Sequence, residues 1–439
     1  MPKKSVFICG PPSQPSAPVL RFKNPRLRGI VRGRVGGANM KRTIYIVDDQ
    51  SEVLETAVVI VRGLVPDSEV TGFAGPHEAL AAVRAKPPDV ILSDQLMPRM
   101  QGSQLLEEVR TLAPGAVRII MSGYVAMDRL NVITSAHQYV AKPFDALQLK
   151  ELLDRIFAAQ QRIQDEGLKT VVTSLRSLPS LPQVRHTLLA ELADSYGASA
   201  TIGQTIAQDP GLSAKVLQLA NSPLFGRSSL VTSPVEAVLC LGTTMITAVV
   251  LSQALFKHYN VLSHRESSLR RLWSHCWETA SLGQIYCREQ GLPHAAGEEA
   301  FLGGLLHETG RLILIDNFPD RFQAACDAAR RDGSPLGPAL RHTFQTTPAQ
   351  IAAYLLDLWG MPSNVVAAVS LLDRPQDEKA SKFTLASALY IADQVASRKS
   401  SPDAFPPAEW DAEYVRSVGG DGDIGAWQRN EVEGVRRPG

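Results

Sequence analysis

Five short apolar runs, spaced so that one helical pattern fits between each pair, limit what residues 43–157 can become. The runs are Thr43–Val47, Glu69–Phe73, Val90–Ser93, Val117–Ser122 and Gln138–Ala141. Between them apolar residues recur at helical spacing, as at Leu54, Ala57, Val58, Val61 and Leu64. Five such βα units in about 120 residues predict a parallel sheet with helices on both faces. On sheets of this kind ligands bind at the carboxyl ends of the strands. Strand 1 ends in Asp48-Asp49, strand 3 in Asp94 and strand 4 in Ser122, while strand 5 runs into Lys142-Pro143. Three carboxylates converging on one edge repel one another, so a hard cation with oxygen ligands is expected there, and Mg²⁺ suits it. Lys142 offers a point charge to a phosphoryl oxygen, and Ser122 a hydroxyl donor.

After this block the strand pattern stops. Leu147–Ile163 is predicted to run as one helix into the polar stretch Gln160–Gly167, making 159–167 a helical linker. Amphipathic stretches follow at Val184–Leu192, Ala198–Ala207, Ser213–Ala220, Pro234–Leu241, Thr244–His258, Arg270–Glu289, Glu298–Asp316, Phe322–Arg331, Pro348–Trp359, Val365–Leu372 and Leu385–Arg398. Pro and Gly punctuate the gaps and no repeat period emerges, so residues 168–398 are expected to form one irregular all-α domain. In the tail, 399–439, a last helix over Glu409–Val418 and a flexible Gly419–Asp423 turn are expected.

The formal net charge of +1 argues against a chain built as a whole to bind a polyanion. Residues 1–39 hold eight Lys or Arg and no Asp or Glu, which leaves about −7 for the rest. That segment is broken by Pro11, Pro12, Pro15 and Pro18 and reads as a disordered basic extension, with Met40 standing directly before the first strand as an alternative start. The five cysteines are odd in number and none has CxxC spacing, which fits free thiols in a reducing compartment. No apolar run is long enough for a membrane span, and a cytoplasmic protein is expected.

Residues 41–158 resemble the response regulator receiver family, with its flavodoxin-like fold. The matching words are Val47-Asp48-Asp49, Ser93-Asp94-Gln95-Leu96-Met97-Pro98, Met121-Ser122-Gly123-Tyr124 and Tyr139-Val140-Ala141-Lys142-Pro143-Phe144. The resemblance implies that Asp94 accepts a phosphoryl group from a sensor histidine kinase. It implies that Asp48, Asp49, Asp94 and the backbone carbonyl of Leu96 hold Mg²⁺, that Ser122 and Lys142 report the phosphoryl group, and that Tyr139 is an aromatic switch. His77 and His137 are read as surface or loop residues without a catalytic role.

In the helical part, Leu178-Pro179-Ser180-Leu181-Pro182, Asp209-Pro210-Gly211-Leu212, Lys215-Val216-Leu217, Ala220-Asn221-Ser222-Pro223 and Leu241-Gly242 resemble, in that order, the HDOD family, a degenerate branch of the HD-type phosphohydrolases. By that resemblance a degenerate metal site falls on His275, His307, Glu308 and Asp393. Glutamate stands where the superfamily has aspartate, which alters ligand geometry. Thr346-Thr347 and Ser370–Asp373 stand where accessory histidines often fall. The expected output is therefore a protein–protein contact with a downstream signalling protein, with at most weak metal binding. The alternative is a receiver-gated phosphohydrolase acting on nucleotides or cyclic dinucleotides. No helix-turn-helix with a basic recognition helix follows the receiver, so a DNA-binding role is disfavoured.

Overall fold

The computed structural model describes residues 42–123, 135–143, 145–175, 199–221, 231–251, 263–399 and 406–429, with isolated positions at 184, 187–188 and 191–192. The basic extension with Met40, Tyr124, Phe144, the Leu178–Pro182 and Ser222-Pro223 words, most of Val184–Leu192 and the end of Thr244–His258 lie outside the described residues.

Strands β1 (Thr43–Val47), β2 (Glu69–Phe73), β3 (Val90–Asp94), β4 (Val117–Ser122) and β5 (Gln138–Ala141) form one parallel sheet in the order β2-β1-β3-β4-β5. This is the flavodoxin-like order. Every residue of β1 and β3 is buried, as expected of a sheet covered on both faces. Among the described residues its helices are α1 (Ser51–Leu64), α2 (Pro76–Ala85), α3 (Gly102–Leu112) and α4 (Ala146–Gln160). Of the predicted α1 stripe, Ala57 and Val61 are buried, and Leu54, Val58 and Leu64 pack against the same core.

α4 does not continue as one helix through Ile163, contrary to the expected linker. The chain turns at 161–165, and the Asp165 side chain accepts from the Leu168 N–H to cap a new helix, α5 (Glu166–Ser174). The helical domain continues with α6 (Ser199–Ala207), α7 (Pro210–Ala220), α8 (Pro234–Leu251), α9 (Ser263–Glu289), α10 (His294–Leu306), α11 (Thr309–Asn317), α12 (Pro319–Asp332), α13 (Leu336–Phe344), α14 (Pro348–Leu358), α15 (Ser363–Ser370) and α16 (Leu385–Lys399). Asp209 caps α7 by accepting from Leu212 N, with Pro210 in its first turn. The single stretch predicted over Glu298–Asp316 is two helices that break at His307-Glu308.

The tail is not loose over its described part. α17 (Ala412–Ser417) and α18 (Ile424–Arg429) fold back on α16, Trp427 is buried, and Tyr286 donates to the Trp427 carbonyl. Trp410 and Trp427 donate their indole N–H groups to the carbonyls of Gly422 and Asp421, which closes the turn that was expected to be flexible.

One hydrophobic core runs from the sheet into the helical domain. Ile44, Ile46 and Leu92 join Leu153 and Ile156 of α4, then Leu168 and Val172 of α5, then Ile351 and Leu355 of α14. Among the described residues, no helix is long and apolar enough to cross a membrane.

Candidate functional site

The carboxyl edge of the sheet gathers the predicted acids around one lysine. Asp48, wholly buried at the exit of β1, pairs with Lys142 Nζ at 2.6 Å, and the same Nζ pairs with Asp94 Oδ1. Asp94 Oδ2 accepts from the Leu96 N–H at 2.6 Å, and Asp48 Oδ1 from the Gln50 N–H at 3.0 Å. Burial pushes the Asp94 carboxyl above its ordinary value, against the opposing pull of Lys142. Asp49 Oδ1 is enclosed and has no hydrogen-bond partner. Ser122 ends β4 beside Ala141, and its carbonyl accepts from the Lys142 N–H at 2.8 Å. Tyr139 is buried in the core on the α2–α3 face of the sheet. Gly102, at the start of α3, lies so close to the Asp94 carbonyl that a Cβ there would sit 2.1 Å from its oxygen.

A second constellation lies inside the helical domain. α9 supplies His275, the α10–α11 break supplies His307 and Glu308, and α16 supplies Asp393. His275 Nε2 is 3.1 Å from His307 Nε2 and 3.0 Å from Asp393 Oδ1, and His307 Nε2 is 3.4 Å from that same oxygen. His307 Nδ1 donates to the Gly304 carbonyl at 2.6 Å; burial alone would lower the ring's pKa, but Asp393 and Glu308 outweigh it and favour the protonated form, whose Nε2 also donates. Burial alone would raise the Asp393 carboxyl, but hydrogen bonds from the two histidines outweigh it and hold the group well below the usual range. His275, His307 and Glu308 offer ligand atoms within 4.8 Å of one another. Glu308 is at the same time paired with Arg311 at 2.8 Å. Above the cluster opens a cavity of about 1060 Å³, whose lining includes His307, Glu308, Asp393, Arg341 and Asp373.

Residues 44–154 match the response regulator receiver domain model, and residues 178–375 match the HDOD domain model. The chain joins a response regulator receiver domain to an HDOD domain. The DNA-binding response regulator MtrA of Mycolicibacterium smegmatis is 34% identical over 131 residues, which cover 29% of this chain and 54% of MtrA. The chain thus spans about half the length of that relative. Among solved structures, the MmoQ response regulator of Methylococcus capsulatus is 22% identical, covering 57% of this chain and 98% of that one at a TM-score of 0.44. An HDOD domain protein of Geobacter sulfurreducens is 16% identical, covering 65% of this chain and 91% of that one at a TM-score of 0.34.

Between the two domains lie residues that the sequence reading missed. Asp357, near the end of α14, faces Arg155 of α4 at 3.7 Å and Arg162 of the turn after it at 3.4 Å. Gln138 of β5 donates to the Leu358 carbonyl at 2.9 Å, and Arg155 to the Met361 carbonyl at 3.0 Å. His137 is not a surface residue. Its Nδ1 accepts from the Arg118 N–H at 2.9 Å, and its Nε2 donates to the Thr173 carbonyl of α5 at 2.6 Å. Burial, then the neighbouring Arg118, pushes its pKa well down, so it is neutral. Arg118 is itself buried and donates to the carbonyls of Ser135 and Ala116. A signal for both was present: Asp357 is the only charged residue in Pro348–Leu358, and Arg118 the only one in Val117–Ser122.

Proposed function

We propose that this chain is a phosphorylation-dependent signalling response regulator in which Asp94 is the acceptor and the HDOD domain is the output, working by contact with a downstream protein. The observation that carries the reading is the shared Lys142 between Asp48 and Asp94 beside the unpartnered Asp49 oxygen. One cation among three carboxylates leaves the edge net negative, and the enclosed Asp49 oxygen is an orphan that a hard metal ion satisfies. Asp48, Asp49, Asp94 and the Leu96 carbonyl would hold Mg²⁺, which when bound offsets charge on the carboxylates and the incoming phosphoryl group. An Asp94 oxygen attacks phosphorus in line. The P–O bond forms as the P–N bond of a kinase phosphohistidine breaks, and the departing imidazole nitrogen keeps the electron pair. Lys142 moves its charge from the Asp94 carboxylate to a phosphoryl oxygen, Ser122 donates its hydroxyl, and Tyr139 transmits the change along β5. The partners are a sensor histidine kinase and a signalling protein, and the setting is the cytoplasm.

The test uses acetyl phosphate with Mg²⁺. About one phosphoryl group per chain should be taken up, and Asp94→Asn should take up none; undiminished labelling of that variant would sink the assignment.

A second reading, a receiver-gated phosphohydrolase, draws support from the convergence of His275, His307, Glu308 and Asp393 beneath a cavity large enough for a nucleotide. The nitrogen and oxygen donors suit a transition metal. Against it, both histidines already share Asp393, and Glu308 is engaged by Arg311.

A further inference from the structure

α14 touches the receiver domain at one end and the HDOD cavity at the other. At its C-terminal end the receiver domain holds it with three side chains: Gln138 on the Leu358 carbonyl, Arg155 on the Met361 carbonyl, and Arg155 with Arg162 around Asp357. The last carbonyls of a helix have no partner within it; those of Leu355, Leu356 and Asp357 accept from the backbone N–H groups of 359–361, and the receiver's Gln138 supplies the remaining one at Leu358. At its N-terminal end, Pro348 and Ala349 line the HDOD cavity. There Gly310, two residues beyond Glu308, meets α14 backbone to backbone; a Cβ on it would lie 1.9 Å from the Pro348 carbonyl oxygen and 2.9 Å from the Ala352 nitrogen. No side chain cushions that contact. Eleven residues of α-helix span about 16 Å as one stiff body, and α14 is buried along its whole length. A shift at its receiver end is therefore delivered to the turn that carries His307 and Glu308.

We propose that α14 is the mechanical link between the domains: the receiver's grip on Asp357 and the Leu358 carbonyl sets the position of the His307-Glu308 turn. This rests on the reading above, in which the receiver governs the HDOD domain. Asp357 and Arg162 are positioning residues, acting through α14 and touching no ligand. Phosphorylation of Asp94 recruits Lys142 at the end of β5, the strand that begins with Gln138, and loosens the grip.

The test is amide hydrogen exchange on the full chain, with and without Mg²⁺ and beryllofluoride as the phosphoryl mimic, read at residues 304–311 and 346–361. Both segments should exchange faster with the mimic, by at least about fivefold, the lower end of ordinary intersite coupling. In Asp357→Asn both should be fast without the mimic and rise no further. Arg162→Gln, on a partly exposed side chain, should show the same trend to a smaller degree and stands in if Asp357→Asn fails to fold. A response at 346–361 with none at 304–311 would overturn the link. A response elsewhere in the HDOD domain that spares both segments would overturn it while leaving the receiver-governed reading intact. No response beyond residue 165, in a protein whose Asp94 still takes up phosphate, would overturn both.

Discussion

At the sheet edge one lysine serves two carboxylates; inside the helical bundle two histidines serve one. The receiver site is short of positive charge. Lys142 is divided between Asp48 and Asp94, and the Asp49 oxygen is left over. The HDOD cluster is closer to balance, because Asp393 takes hydrogen bonds from His275 and His307 while Glu308 has Arg311. Similar residue types thus leave an enclosed, unpartnered carboxylate oxygen at each site, Asp49 Oδ1 and Glu308 Oε2, but only the second site sets two histidines and an arginine around its carboxylates. In the function proposed above, the first site carries the chemistry and the second domain the partner contact.

The two sites share a mode of construction, and breaking it should have the largest effect. Each presses a glycine backbone onto a neighbouring carbonyl, Gly102 on Asp94 and Gly310 on Pro348. Gly102→Ala and Gly310→Ala should each cost about 1–3 kcal/mol, because neither neighbour is a flexible side chain that can give way. Denaturant unfolding of the two variants checks this. The comparison sharpens if Gly102→Ala also slows phosphate uptake while Gly310→Ala leaves it unchanged.

A smaller effect concerns the seam between the regions. His137 is neutral in the folded protein well below its ordinary range, whereas the unfolded chain protonates it near pH 6.5. The unfolded state therefore binds more protons below about pH 6.5, and stability contributed by this group is full above that pH and lost as pH falls, by up to about 1.4 kcal/mol per pH unit. Melting curves at pH 7.5 and 5.5 should show a larger drop for the native sequence than for His137→Gln, whose amide can accept from Arg118 and donate to Thr173. Equal drops would remove His137 from the account.

The smallest effect is a control. Gly63 of α1 has nothing near its missing Cβ, so Gly63→Ala should stabilise by about 0.5–1 kcal/mol, and a melting temperature that falls instead would show that the packing around α1 is misread.

The receiver was legible because its fold and its site are written in one pattern. Short apolar runs buried on both faces, four of which end in or lead straight into a charged or hydroxyl residue, announce both the sheet and the edge where ligands gather. The bounds of β1, β2, β4 and β5 follow directly from the apolar runs. The HDOD domain was legible as helices but not as packing, because a 3.6 period says which face is buried and not against what. Glu298–Asp316 reads as one helix, since the break at His307-Glu308 contains neither Pro nor a breaking glycine pair. The turn at 161–165 was missed because its signal is the local cap at Asp165. Gln138 and Arg155 lie 220 and 206 positions from the Leu358 and Met361 carbonyls they hold, and no local period reports a contact at that separation.

The most direct test of the central contrast is a turnover measurement. Full-length protein loaded with Mg²⁺, Mn²⁺ or Fe²⁺ is given cyclic di-GMP and generic phosphodiesters, beside His307→Ala. The account predicts no metal-dependent hydrolysis in either protein, with phosphate uptake at Asp94 intact in both. Metal-dependent turnover that disappears in His307→Ala would contradict it and make the HDOD domain a catalyst.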